Sequence, residues 1–153
     1  MHPCISPRAA DSVVFGLGAG AYGLIEVLYK GDTHPTMLVA GGICFLVMER
    51  ISRRLPQIPF LGKCMMSGAA VTGVEFAFGC VFNLGLNMNI WDYSHLPFNI
   101  AGQVCLWFTI LWSALAVVGL PLAKMAYSYL VTGKIPRLLH RQELRAPAVH
   151  SRG

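Results

Sequence analysis

Four segments of the sequence are long and apolar enough to cross a lipid bilayer, and this feature limits the possible folds more than any other. They cover residues 11–29, 36–51, 61–86 and 98–120. A membrane-spanning helix needs about 20 mostly apolar residues, because the hydrocarbon core of a bilayer is about 30 Å thick. The sequence therefore predicts an all-α fold: a polytopic membrane protein built as a bundle of four transmembrane helices.

The second segment is the shortest of the four. Its apolar part runs from Met37 to Met48 and ends in Glu49 and Arg50. The segment is either a tilted span or a helix buried among the other three. We interpret Glu49 and Arg50 as charges at the membrane interface.

The composition agrees with a membrane environment. Of the 153 residues, 55% are apolar and 12% are charged, whereas soluble domains carry about 25% charged residues. The net charge of +5 comes from basic residues that lie outside the apolar segments, a pattern typical of membrane proteins rather than of nucleic-acid-binding proteins. The expected partner is the lipid bilayer, and no nucleic acid is expected.

The distribution of basic residues predicts the orientation of the spans. The second connection contains Arg53 and Arg54, whereas the third connection, residues 87–97, contains no Lys or Arg. Positive charge near the ends of spans marks the cytoplasmic side. The N- and C-termini and the second connection are therefore predicted to be cytoplasmic, and the first and third connections to face outward.

The fourth apolar stretch continues beyond residue 120 as far as Val131. Pro121 has no backbone N–H and is expected to kink or end the helix, so residues 122–131 are predicted to lie at the inner interface. The membrane domain then covers residues 1–131, and residues 132–153 form a basic cytoplasmic tail.

Two stripes of small residues predict which helix faces touch. Gly16 and Gly20 lie four residues apart in the first span, with Ala19 and Gly23 in the next register, and Ala69, Gly73 and Ala77 repeat this spacing in the third. Small residues let helices approach closely, and such packing drives helix association in lipid. We therefore predict that both stripes lie at helix contacts.

Two glutamates, Glu26 and Glu75, lie within predicted spans that carry no Lys or Arg at the same depth. An ionised Asp at the centre of a span costs about 2.5–3.5 kcal/mol, so each glutamate must be protonated, hydrogen-bonded or bound to a cation. Helical spacing places Asn83 on the stripe of Glu75, and it places Asn99 and Gln103 on one face of the fourth span. These five residues are predicted to line a polar cavity that opens outward.

The mouth of this cavity is predicted to carry His34, Asp92 and His95. Trp91 and Tyr93 flank Asp92 and are typical of anchors at the membrane surface. Simpler roles stay open for the same residues: a hydrogen-bond network that only fixes helix packing, an exposed turn at His34, and a helix cap at Asp92. Because two dispersed ligands do not define a metal site, none is predicted.

The sequence lacks the motifs of common enzymes. The patterns G-x-x-x-x-G-K-[ST], G-x-S-x-G and H-E-x-x-H are absent, so ATP hydrolysis by this chain, a serine hydrolase site and a zinc protease site are not expected. The five cysteines have no C-x-x-C spacing and are interpreted as small apolar residues. We predict neither an enzymatic activity nor a cofactor.

Two stretches resemble a known family. They are TGVEFAFGCVFNLGLNMNIWDYSHLPFNIAGQVCLWFTILW, at 72–112, and YGLIEVLYKGDTHPTMLVAGGICFL, at 22–46. The most specific parts are Glu75, Asn83, the WDYS at 91–94, the PFN at 97–99 and Gly102 with Gln103, followed by Glu26, the THPTM at 33–37 and Gly41 with Gly42. The sequence is similar to the small bacterial membrane proteins called putative ABC-transporter type IV, or putative ABC transporter permease.

This resemblance implies a multi-pass protein of the bacterial plasma (inner) membrane that acts as a permease-like subunit. Because the chain has no ATP-binding motif, the ATPase would be a separate subunit. A homo-oligomer would be needed to enclose a path of useful width, since four short spans are few for a permease.

These observations leave two classes of function open. In the first, the chain is a transport component whose polar cavity admits a cation or a protonated solute. In the second, it is a non-transporting membrane scaffold or accessory protein. Catalysis within the membrane is the least favoured hypothesis, because the spacing pairs no nucleophile with a base.

Overall fold

The structure, a computed structural model, describes residues 5–136. The elements are α1 (Pro7–Lys30), α2 (Pro35–Arg54), α3 (Phe60–Phe78) continued by a π-helical turn (Gly79–Gly85), β1 (Asn99–Ile100), β2 (Val104–Cys105) and α4 (Leu106–Thr132). Four helical segments, the third of which includes the π-helical turn, are long and apolar enough to cross a membrane. The prediction of an all-α bundle of four such helices is confirmed. Cys4 and the predicted basic tail from residue 137 onward lie outside the described residues.

Local sequence signals explain the bounds of α1. The helix begins at Pro7, a residue favoured in the first turn, and the Ser6 hydroxyl accepts a hydrogen bond from the Ala9 backbone N–H at 3.3 Å. It ends at Gly31, which adopts a φ of 90° and donates its N–H to the Val27 carbonyl. Glycine takes this left-handed conformation without the steric strain that a side chain would add.

The buried core lies where α2, α3 and α4 meet. It is formed by Cys44, Met48, Ile51, Cys64, Val71, Trp112, Ala116, Leu120 and Ala123. In contrast, α1 packs mainly against α2, and it approaches α4 much less closely. This arrangement leaves space between α1 and α4.

Of the small residues predicted at helix contacts, Gly23 is buried and an added Cβ would collide with the Leu38 side chain of α2, whereas Gly16, Gly20 and Gly73 do not lie at a contact. Within residues 5–136, a Cβ added at Gly16, Gly20 or Gly73 would meet no atom closer than 4 Å. The close approach instead occurs at Gly18, where an added Cβ would collide with the Gly41 carbonyl of α2. Residues two positions apart point to nearly opposite sides of a helix, so a seam at Gly18 turns Gly16 and Gly20 outward.

In α3, too, the buried face differs from the face that the spacing of small residues predicted. Ser67, Val71 and Glu75 form its buried stripe, and Gly73 is exposed between them. The polar Glu75 and Ser67 thus face protein, while the small residues of the predicted stripe lie on the outer surface. The expectation that the Ala69–Gly73–Ala77 stripe forms a helix contact within the chain is wrong.

The fourth helix begins at Leu106 rather than at residue 98. Residues 99–105 form an antiparallel hairpin in which β1 pairs with β2. The Asn99 side chain accepts a hydrogen bond from the Gly102 N–H at 3.0 Å and donates one to the Leu96 carbonyl at 2.7 Å. Such local bonds compete with helix formation. They explain why residues 98–105 are not helical, although their hydropathy favoured a membrane span.

The fourth helix does not end at Pro121. It continues to Thr132, so residues 122–131 belong to α4, and their place at the inner interface stays a prediction. Proline removes one backbone donor, so a helix that continues through Pro121 lacks one hydrogen bond. Ending the helix within the membrane would expose several unpaired backbone groups to lipid, which costs more, so the continuous helix is favoured.

Candidate functional site

A cavity of about 540 Å³ lies between α1, α4 and the loop that precedes β1. Its volume is in the range of small-molecule sites in proteins. Seven aromatic side chains line it: Tyr22, Tyr29, Trp91, Tyr93, Trp107, Phe108 and Trp112. They include all three tryptophans of the chain. Among the charged and titratable residues of the wall are Glu26, Lys30, Asp92 and His95.

Glu26 has a basic partner that the sequence interpretation did not assign. Lys30 Nζ lies 2.9 Å from Glu26 Oε1, and the Thr33 hydroxyl donates a hydrogen bond to Glu26 Oε2 at 2.5 Å. Residues four apart share a helix face, and the long lysine side chain reaches back along α1. The expectation that no Lys or Arg neutralises Glu26 is therefore wrong.

Asp92 lies on the exposed side of the cavity. Its carboxylate accepts hydrogen bonds from the Ser94 backbone N–H at 2.8 Å and from the Ser94 hydroxyl at 2.9 Å. These bonds lower the pKa of Asp92 below its ordinary value, because they favour the ionised form. Asp92 is therefore a fixed negative charge at neutral pH.

Tyr93 contributes a buried face to the same wall. Its ring stacks on Phe108 with the centroids 4.5 Å apart. Burial raises the pKa of the Tyr93 phenol above its usual value, and the nearby carboxylate of Glu75 adds to this effect. The phenol is therefore neutral at physiological pH and presents an uncharged aromatic surface.

Glu75 is separated from the cavity by two of its aromatic residues. Its side chain is buried, with 2% of the residue exposed, and Tyr22 donates its hydroxyl to Glu75 Oε1 at 3.2 Å. Tyr22 also stacks on Trp112, with ring centroids 5.5 Å apart. The Trp112 indole also interacts with the Glu75 carboxyl group, although within residues 5–136 neither Glu75 Oε2 nor Trp112 Nε1 has a hydrogen bond of ordinary geometry. The cavity wall does not include Glu75, in contrast to the prediction.

Asn83 and Gln103 form a network that holds the loop in place. Asn83 Nδ2 donates to Gln103 Oε1 and to the Trp91 carbonyl, both at 2.9 Å, and Asn83 Oδ1 accepts from the Ile90 N–H at 2.7 Å. The predicted lining residues Asn83, Asn99 and Gln103 are not among the residues of this cavity wall. Their observed role matches the alternative of a hydrogen-bond network that fixes packing.

Trp91 is held by the same network. Its indole N–H donates to the Gln103 carbonyl at 2.9 Å, while its ring lines the cavity. His34 lies elsewhere: its Nδ1 accepts from the Thr36 N–H at 3.3 Å and caps α2. His34 is not among the residues of the cavity wall, and Pro35, which favours the first position of a helix, is the signal in the sequence that α2 begins after His34.

A buried ionic cluster joins α1, α2 and α4 at their other end. Glu49 is fully buried and pairs with Arg50 and, at 2.5 Å, with Arg53 Nε. Arg50 also bonds Asp11 of α1 at 2.7 Å, and the Arg53 guanidinium lies 4.6 Å from the ring centroid of Tyr127 in α4. Glu49 is thus not a solvated interfacial charge. The i, i+4 spacing of Glu49 and Arg53 was the signal in the sequence.

The described residues, 5–136, contain no group of three or more His, Cys, Asp or Glu side chains that could hold a metal ion. The chain matches the family described as Putative ABC-transporter type IV over residues 12–141. This match includes the whole cavity wall. No curated protein and no solved structure matches the chain.

Proposed function

The chain belongs to the Putative ABC-transporter type IV family, and on this premise we propose that it is the membrane component of a transporter. We propose further that the aromatic cavity binds the solute and that the solute is a cation or a protonated molecule. The observation that carries this proposal is a single cavity of about 540 Å³ whose wall contains Glu26, Asp92 and His95.

The charge balance of the wall supports a cationic solute. Lys30 is engaged by Glu26, whereas the bonds that Asp92 accepts come from the uncharged Ser94. The negative charge of Asp92 is therefore left to act on whatever enters the cavity. Asp92 is exposed, so its charge attracts a cation at the opening of the cavity, where water also screens the interaction.

Glu75 supplies a second negative group behind the wall. Among residues 5–136 the buried Glu75 carboxyl group pairs with no Lys or Arg side chain, and ionisable groups at membrane depth are most often functional. Tyr22 contacts both the cavity and Glu75. We propose that movement of the Tyr22–Trp112 pair connects the cavity to Glu75 during transport.

The proposal includes the setting of the protein. Both termini lie in the cytoplasm, the cavity opens outward, and the membrane is the plasma (inner) membrane of a bacterium. A separate ATPase subunit supplies the energy. A homo-oligomer encloses the path, because one copy presents four short spans.

Ion movement in native membrane vesicles tests this function. Vesicles from the source organism, with and without the chain, are loaded with ATP and assayed with radiolabelled sodium, rubidium and tetramethylammonium ions. We expect movement of at least one ion to depend on the chain, to be abolished by Glu75→Gln and to be unchanged by Asp32→Asn, an exposed control. Absence of chain-dependent movement for all three ions would contradict the proposal.

A scaffold or accessory role is the second candidate, and the closed Asn83–Gln103 network is the observation that favours it. In that case the polar residues only fix the fold. Glu75→Gln would then reduce the amount of assembled protein in the membrane, measured by immunoblotting after detergent extraction, and ion movement would not depend on the chain.

A further inference from the structure

The cavity wall is aromatic rather than rich in oxygen atoms. Inorganic cations are bound by oxygen ligands such as carboxylates, carbonyls and water, whereas organic ammonium groups are recognised by the faces of Trp, Tyr and Phe rings. Seven aromatic side chains, the Glu26–Lys30 ion pair and the Asp92 carboxylate line this cavity. Its chemistry thus matches an organic ammonium better than a hydrated metal ion.

An apolar crevice adjoins this cavity. It measures about 220 Å³ and lies where α1 and α4 diverge. Tyr22, Ile25, Trp112 and Leu115 line both spaces, so the cavity and the crevice are neighbours that share a wall. The remaining crevice wall is apolar and includes Ala21 of α1 and Val118 of α4.

The two spaces have complementary chemistry. The aromatic cavity has a negative charge at Asp92, and the crevice offers an apolar path alongside the helices. We infer that the solute is an amphipathic organic cation, with its ammonium group in the aromatic cavity and its apolar chain in the crevice between α1 and α4. This inference rests on the proposed function and specifies the substrate class of the same site.

Tryptophan fluorescence offers a direct measurement, because all three tryptophans lie in the cavity wall. The purified full chain in lipid nanodiscs is titrated with tetramethylammonium and with hexyltrimethylammonium. Sodium hexanesulfonate has the same chain with a negative head and controls for partition into lipid. We expect quenching by both ammonium ions and none by the sulfonate. Burial of apolar carbon tightens binding about fourfold per methylene, so the dissociation constant of hexyltrimethylammonium is expected to be at least about tenfold lower.

Paired substitutions identify the two halves of the site. Asp92→Asn keeps an acceptor for the Ser94 N–H but removes the charge, and it should weaken binding of both ammonium ions about tenfold, whereas Asp32→Asn should not. Ala21→Phe fills the crevice and should abolish the advantage of the hexyl chain without affecting tetramethylammonium. Ala114→Phe makes the same change at an exposed position outside both spaces and should alter neither.

Each outcome decides between the proposals. If the two ammonium ions bind equally, or if Ala21→Phe leaves the chain-length dependence intact, the inference on substrate class is wrong while the proposed function stands. If the sulfonate quenches as strongly as the ammonium ions, charge recognition is absent and the inference is also wrong. If neither ammonium ion quenches and no ion moves in the vesicle assay, both proposals are wrong.

Discussion

At the scale of single residues, two buried acids have opposite surroundings. Glu49 pairs with two arginines, whereas the Glu75 carboxyl group has no Lys or Arg partner among residues 5–136 and contacts the uncharged side chains of Tyr22 and Trp112. Buried charges are stable only when they are paired or hydrogen-bonded. This contrast separates a structural role for Glu49 from the proposed transport role of Glu75.

Replacing the buried acid of the ionic cluster should destabilise the fold. Glu49→Gln leaves Arg50 and Arg53 without their shared carboxylate, and breaking such a pair costs about 3 kcal/mol. The arginines are partly exposed, so we expect a smaller loss of unfolding free energy, about 2 kcal/mol. Unfolding by SDS in mixed micelles measures this loss, and the exposed substitution Asp32→Asn should have an effect close to zero. Equal stability of the two variants would contradict the assignment.

The hydrogen bond between Tyr22 and Glu75 should be detectable by a double-mutant cycle. Tyr22→Phe removes the donor and leaves the Glu75 carboxyl group without this partner, at a cost of about 1–3 kcal/mol in unfolding free energy. Once Glu75→Gln is present, the further cost of Tyr22→Phe should be smaller, since residues in contact are not additive. Additive effects in SDS unfolding would show that the two side chains do not interact.

At the scale of elements, the faces on which helices pack are set by a few close approaches. Gly18 meets Gly41 between α1 and α2, and Gly68 meets Ser113 between α3 and α4. The loop before β1 is held by side-chain bonds to its backbone instead of by helical packing. The cavity wall therefore depends on both glycine contacts and an amide network.

Two glycines of α1 should respond oppositely to the same substitution. Gly18→Ala places a methyl group against the Gly41 carbonyl and should cost about 1–3 kcal/mol of unfolding free energy. Gly16→Ala adds its methyl group in open space and should leave stability unchanged or raise it by up to about 1 kcal/mol, because alanine favours helix. SDS unfolding of both variants checks this difference. A larger loss for Gly16→Ala would place the seam on the face that the glycine spacing first suggested.

The amide network should control the order of the loop. Asn83→Ala leaves the Ile90 N–H, the Trp91 carbonyl and Gln103 Oε1 without this partner. We expect a loss of about 1–3 kcal/mol in unfolding free energy, because groups that water can reach regain hydrogen bonds. Hydrogen exchange at residues 90–96 should accelerate, and tetramethylammonium binding should weaken because Trp91 and Asp92 lose their fixed positions. Unchanged exchange rates in this loop would contradict the role of Asn83.

At the scale of the whole molecule, the bundle is open on one side. α2, α3 and α4 share the core, and α1 is attached mainly through α2, so the cavity and the crevice both lie along the α1–α4 boundary. A solute could reach this boundary from the aqueous side or from the lipid. The orientation of the chain in the membrane decides which aqueous side that is.

Cysteine labelling determines the orientation. Asp32→Cys and Asn89→Cys lie in the first and third connections, and Gln57→Cys lies in the second. We expect a membrane-impermeant thiol reagent to label the first two variants in intact cells and the third only after permeabilisation, because the basic second connection should be cytoplasmic. The parent chain provides the background of the native cysteines. The reverse pattern would invert the topology and the side on which the cavity opens.

The sequence by itself determined the four helices, because the number and length of apolar stretches are local properties that a bilayer selects directly. It also predicted that Glu26, Asp92 and His95 lie close to one another, and all three line the same cavity. The tertiary structure alone decided that Gly18 rather than Gly16 lies at the seam, and that Tyr22 reaches Glu75 across 53 positions of the chain. Helix rotation and contacts between distant residues result from the packing of all elements together, so hydropathy and spacing within one segment do not specify them.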